Sequence, residues 1–246
     1  MIQASSVLKE ANISIEPMYE ARLERLLAHC RTHLPSVNEA MVRRAFRLSY
    51  WAHRHHWRAS GERYIAHPME VADIVARDIG LDDVSVAAAL LHDVVEDTDL
   101  SIGLIREEFG DTLATIIDGL TKISGVFASR ELGQAENVRK LMLSMATDVR
   151  VILVKFADRL HNMRTIEALP KEKQLKKASE TKELFAPLAH RFGLFAVKSE
   201  LEDLSLKVLD PESYHHIVDS LADRKEEREA YIAYFIEPLK QRLENE

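Results

Sequence analysis

The residues best suited to chemistry stand together at His92, Asp93, Val94, Val95, Glu96 and Asp97, directly after the apolar run AAALL. On a helix His92 and Glu96 lie four apart, as do Asp93 and Asp97, so acids crowd one end of an otherwise buried element. Burying such groups unpaired is costly, and neighbouring carboxylates repel unless a cation or a shared proton intervenes. Two readings are open from this segment alone: an exposed helix end whose acids face water, or a ligand set that needs partners elsewhere.

Such partners exist. In FADRLHNMRT, Asp158, Asn162 and Thr165 fall at i, i+4 and i+7, one face of a helix. The preceding VRVILVKF is rich in β-branched residues and would suit a buried strand. A strand, however, would turn Thr165 away from Asp158 and Asn162, so the spacing favours a helix. His67 stands at a helix start with Val71, Ile74 and Val75 behind it; by itself it reads as a capping or core histidine. Together His67, His92, Asp93 and Asp158 offer two imidazoles and two carboxylates. That mixture suits a divalent transition ion that keeps positions open for water or substrate.

The elements that must position these groups read as helix after helix, for the 246 residues hold only 8 Gly and 7 Pro. One helix is predicted over Glu16 to Leu34, with Pro17 in its first turn. The next opens on a capping box formed by Ser36 and Glu39 and runs to about His56. A turn at Ser60 and Gly61 follows, and Pro68 marks a first helical position. Asp82 and Asp83 start a helix with a buried stripe of Val84, Ala87, Ala88 and Leu91. Ser101 to Phe109 is short, closed by Gly110. Thr121 to Gly133, with two glycines and two serines, is predicted as a mobile loop that moves in regulation. Helix resumes near Gln134 and over Lys171 to Arg191. Asp210 and Pro211 begin a charged helical tail, which Pro238 kinks or ends.

Composition narrows the function. With 46% hydrophobic and 30% charged residues the chain can bury a core. A net charge of −7 argues against bulk electrostatic binding to nucleic acid, and no apolar stretch is long enough to span a membrane. The first residues lack the features of a signal peptide, which points to the cytoplasm. Cys30, the single cysteine, reads as core filler on an amphipathic helix. His53, His55 and His56 read as a solvated helix end with Trp57 packing inward, and His215 and His216 as surface residues. Lys122, Arg139 and Arg164 are equally suited to phosphates or to salt bridges.

The order H, then HD, then D resembles that of the HD phosphohydrolase superfamily. The words SGERYIAHP, AAALLHDVVEDT, DGLTK, QAENVRK, VILVKFADRLHNMRT and FAPLAHRFG are, together, similar to the N-terminal hydrolase domain of bifunctional RelA/SpoT-type alarmone enzymes. The likeness runs from roughly Arg44 to Leu209. It implies an all-α HD-domain helical bundle of the RelA/SpoT hydrolase type over residues 1–209, then a helical connecting segment over 210–246. It also implies removal of the 3′-pyrophosphate from ppGpp and pppGpp to give GDP or GTP, in stringent-response control, with manganese (Mn2+) as the usual ion. By motif position the resemblance assigns His67, His92, Asp93 and Asp158 to the metal. Glu96 and Asp97 become the acids that position or deprotonate water, and Asn162 and Thr165 contact the nucleotide. Arg58 lies near the guanine, where its planar cation suits stacking on the base.

Two positions depart from the pattern. Ala59 stands where a second basic residue is frequent, and Arg63 where GEPY has proline. Arg63 is expected to replace the missing charge, so nucleotide selectivity or affinity should differ rather than the chemistry. The synthetase and regulatory domains of the long members are expected to lie outside this chain, which carries no Gly-rich phosphate loop. Two other classes of function stay open: a regulatory module that binds the nucleotide with little turnover, and an HD enzyme for another nucleotide, such as NADPH or a deoxynucleotide.

Overall fold

A helix that is apolar on every side has to lie inside a protein, and Asp83–Leu91 is such a helix, with every side chain from Ser85 to Leu91 buried. The expected stripe is thus a fully buried cylinder. The computed structural model describes residues 14–128 and 148–221 and arranges the other elements around this one. They run α1 (Pro17–His33), α2 (Glu39–Ala52), α3 (Ala66–Ile74), α4 (Asp83–Leu91), the single turn α5 (Val94–Asp97), α6 (Ile102–Phe109) and α7 (Asp111–Ala128). Then come α8 (Arg150–Arg164), α9 (Lys171–Glu180), α10 (Ala186–Arg191), α11 (Phe195–Leu209) and α12, described over 211–221. α2, α3, α7 and α8 pack around α4, while α11 lies against α8, α9 and α10. Among the described residues there is no strand, only the isolated bridge between Trp57 and Arg63. The fold is all-α. No described helix is long and apolar enough to cross a membrane.

Several starts and stops follow the residues expected to make them. Asp82 caps α4 by accepting from the Ser85 amide at 2.9 Å, and Ser101 caps α6 through the Leu104 amide. Gly110 then closes α6 at φ +89°, where a side chain would be strained. Pro17 occupies the first turn of α1, and Asp210 accepts from the Ser213 amide at the head of α12. The β-branched stretch before Asp158 is helical, as the spacing required. The Lys171 to Arg191 segment is continuous helix, with one wider turn over Thr181–Phe185. Cys30 is fully buried, and burial pushes its thiol up to about 11. His215 and His216 lie on the surface.

Other expectations are corrected. α2 is capped by Asn38, which accepts from the Met41 amide at 3.1 Å, rather than by a Ser36–Glu39 box. Glu39 is instead bound by Arg31. α2 ends at Ala52 and not near His56. His53 is buried, not solvated, while Trp57 is 60% exposed and lies under the Arg63 guanidinium at 5.0 Å. Pro68 is the third residue of α3, still in the turn whose amides need no helical partner. The predicted loop from Thr121 is helical through Ala128, and the rest of it lies outside the described residues. So do the Gln134 segment, Arg139 and Pro238.

Candidate functional site

Three elements converge on one buried point. His67 is carried in the first turn of α3, fixed where its amide bonds the Tyr64 carbonyl at 2.9 Å. His92 and Asp93 form the break between α4 and α5, and Asp158 projects from the middle of α8. His67 Nε2 lies 3.2 Å from His92 Nε2 and 3.7 Å from Asp93 Oδ2, and His92 Nε2 is 3.0 Å from that same oxygen. Asp158 Oδ1 completes the group, 3.3 Å from His67 Nε2 and 3.8 Å from His92 Nε2. An ion with bonds of about 2.0–2.2 Å spaces adjacent ligand atoms by roughly 3 Å; His67, His92 and Asp93 each present a ligand atom within 4.8 Å of the others and could hold a metal ion, with Asp158 Oδ1 beside the two imidazoles. The donor chemistry fits as well, since imidazole nitrogen and carboxylate oxygen suit such ions.

The electrostatics run the same way. Burial raises the cost of both carboxylates, yet His92 holds Asp93, and Lys155 with His67 holds Asp158, below the ordinary carboxylate range. Burial also opposes charge on His92, but Asp93 and Asp158 outweigh it and lift its pKa to about 9. Positive charge is thus favoured at this point, and metal binding at such a cluster would release the proton. His67 moves the other way, lowered chiefly by burial, and its neutral ring is the form that ligates.

Supporting contacts set the orientation of each group. The Ala89 carbonyl lies 2.8 Å from His92 Nδ1 and turns Nε2 into the cluster. His161, a helical turn beyond Asp158 and buried, meets His67 Nδ1 at 2.7 Å; burial and His67 take its own pKa down to about 3. Lys155 Nζ lies 2.7 Å from Asp158 Oδ2, and Asn162 donates to Asp158 Oδ1 at 2.6 Å. The Tyr64 hydroxyl donates to Asp93 Oδ2 at 2.5 Å. Tyr64, Lys155 and His161 were not foreseen as site residues. His161 and Lys155 are three residues either side of Asp158, so the helical spacing that found Asn162 could have found them.

A cleft of about 590 Å³ opens over the cluster, lined by His67, Asp93, Glu96, Asp97, Asp158, Asn162 and Arg58. Glu96 and Asp97 reach it from α5, and crowding by protein and by Asp93 raises Asp97 above its usual range. Arg58 Nη2 donates to Thr165 Oγ1 at 3.1 Å, so Thr165, 107 residues away in the chain and not among the cleft's lining residues, meets the site through Arg58. Thr165 in turn donates to the His161 carbonyl. The cleft also gathers cations that the sequence did not flag: Lys155, Arg159, and Lys173, Lys176 and Lys177 along one face of α9. Arg159 is almost wholly buried, 4.1 Å from the Phe185 ring centroid.

Three basic residues lie elsewhere. Arg63 is tied to Glu16 at 2.5 Å and to the Arg54 carbonyl, and does not line the cleft. The expectation that it replaces a charge beside Arg58 is therefore corrected. Arg164 pairs with Glu200 at 2.6 Å and Lys122 with Asp118 at 2.5 Å.

Comparison with known proteins gives a consistent picture. Residues 45–195 match the family described as HD domain. The chain is 49% identical over 207 residues to a protein of Synechocystis sp. named probable guanosine-3′,5′-bis(diphosphate) 3′-pyrophosphohydrolase, covering 84% of this chain. It is 46% identical over 211 residues to a probable GTP pyrophosphokinase of Mycobacterium leprae, covering 86%, and 43% identical over 228 residues to a GTP pyrophosphokinase of Streptomyces coelicolor, covering 92%. The chain spans about 27% of the length of each of these relatives.

Proposed function

The chain belongs to the HD domain family, and from that premise we propose that it is a hydrolase that removes the 3′-pyrophosphate of ppGpp and pppGpp, giving GDP or GTP, as part of stringent-response control. The observation that carries this reading is the buried meeting of His67, His92, Asp93 and Asp158 beneath a cleft that Glu96 and Asp97 reach and that carries acids and cations side by side. His67, His92, Asp93 and Asp158 would hold a divalent cation, with Mn2+ proposed. Held there, such an ion lowers the pKa of water and screens the negative charge of a pyrophosphate.

The chain's own residues supply the rest. Asp97, raised by its surroundings, is a better proton acceptor than an ordinary carboxylate, and with Glu96 it orients and deprotonates the attacking water. Lys173 and Lys177 line the cleft and offset the charge of a polyphosphate, while Lys155 neutralises Asp158 and Arg159 and Lys176 pair with Glu180. Arg58 offers a planar face to the base, and its bond to Thr165 holds that face in place. Asn162 keeps Asp158 aimed at the ion while lining the cleft beside it. The relative named as a 3′-pyrophosphohydrolase supports this substrate.

The test is incubation with ppGpp and Mn2+, with GDP and pyrophosphate followed by chromatography. Turnover is expected with the ion and none with a chelator, and Asp158→Ala should remove it. Tight ppGpp binding without GDP above the metal-free control would reject hydrolysis, and faster hydrolysis of a different nucleotide would reject the substrate. Undiminished activity of Asp158→Ala would reject the site.

A further inference from the structure

Tyr64 is bound into the site at both ends of the residue. Its backbone carbonyl accepts from the His67 amide at 2.9 Å, and its hydroxyl donates at 2.5 Å to Asp93 Oδ2, the oxygen that faces both imidazoles. The phenol therefore stands directly behind a proposed metal ligand. Its ring is clamped: the His53 ring lies 4.6 Å away at 32°, and the His67 ring meets it edge-on at 5.9 Å. Tyr64 also closes the loop that carries Arg58, since its amide bonds the His56 carbonyl at 3.1 Å while Arg58 bonds Glu62 across the same loop.

We propose that Tyr64 is a positioning residue, whose hydroxyl fixes Asp93 Oδ2 toward the ion. This rests on the metal-site reading above. A carboxylate on a break between two helical segments can turn about its side-chain bonds, and a donor on the ligating oxygen removes that freedom. Without the hydroxyl, Asp93 would sample orientations that do not ligate.

Tyr64→Phe tests this, for it keeps the ring that stacks on His53 and removes only the oxygen. The readout that does not depend on turnover is Mn2+ binding alone, followed by the free-ion paramagnetic resonance signal. Loss of an outer-shell partner of this kind costs about tenfold to a hundredfold in metal affinity or activity. Tyr64→Phe is expected to bind Mn2+ about that much more weakly, and its kcat at saturating Mn2+ should fall by a similar factor with KM for ppGpp within about twofold. An unfolding transition in chelator like that of the parent chain establishes that the variant is folded. The proposal is overturned if Tyr64→Phe binds Mn2+ as tightly as the parent while Asp158→Ala has lost the ion, because the metal site would then stand and Tyr64 would not serve it. A rise in KM alone, with Mn2+ affinity unaltered, also overturns it and makes Tyr64 a substrate contact.

Discussion

An imidazole buried away from water costs stability in proportion to how readily it would take a proton outside, and His53 carries that cost. Burial holds it down at about 4, against 6.5 for the ordinary side chain. Between those values the unfolded chain binds a proton that the folded chain refuses, so stability due to a neutral His53 is intact above about 6.5 and lost as pH falls toward 4. From pH 7 to pH 5 this single group removes about 2 kcal/mol. Urea unfolding of the parent and of His53→Gln at both pH values should show a smaller acid loss in the variant by about that amount. Equal losses would mean that His53 is hydrated in the folded state. Of the residues the sequence and its resemblance point to, His67, Asp93, Asp158, Asn162 and Arg58 line one cleft, His92 lies beside His67 and Asp93, and Thr165 reaches the cleft only through Arg58. His53 was placed in solvent because AHRHHW reads as a polar helix end. α2 stops at Ala52, and the turn that follows folds His53 back under Tyr64 while leaving Trp57 outside. Nothing local in the sequence announces that reversal.

At the scale of elements, Gly119 of α7 faces Val151 of α8. A Cβ placed on Gly119 would lie 2.7 Å from Val151 Cγ2, and Val151 is fully buried and stiff about χ1. Gly119→Ala gains up to about 1 kcal/mol of helix propensity, but overpacking of this kind costs about 1–3 kcal/mol. The variant should be less stable by about 1 kcal/mol, taking both effects together. Trimming the neighbour relieves the clash, so Gly119→Ala should cost less in a Val151→Ala background than in the parent, by thermal or urea unfolding of the four proteins. Additive effects would show that the helices have room to part. α7 also shows where pattern reading fell short. Glycine and serine after Thr121 suggested a loop, yet the stripe Ile116, Ile117, Leu120 and Ile123 buries one face of the helix up to that point. Packing of such a stripe outweighs weak local propensity. For α8 the position was reversed: local β-propensity pointed to a strand, and the spacing of the polar residues, which reports on a tertiary face, gave the correct element.

Across the whole molecule, the proposed ligands join segments far apart in sequence, with His67 on α3, His92 and Asp93 after α4, and Asp158 on α8. Two carboxylates and two imidazoles share that point, and the folded chain restrains their repulsion with Lys155, Tyr64 and a proton on His92. The unfolded chain separates them and has no such repulsion to relieve, nor can it assemble the set to hold an ion. A cation that binds the folded form alone therefore raises stability, by about 2.7 kcal/mol when free ion is a hundredfold above Kd. For a chain of this length that corresponds to about 5–10 °C in the unfolding midpoint. Scanning calorimetry in Mn2+ and in chelator should show such a rise. Asp93→Asn keeps the side-chain shape and removes the charge, so it should lose the ion-dependent rise. Its midpoint in chelator should also fall, because the variant removes the charge that pairs with His92. A parent chain with the same midpoint in Mn2+ and in chelator would show that the four groups hold no ion, and the cluster would then be a proton-linked polar core beneath the cleft.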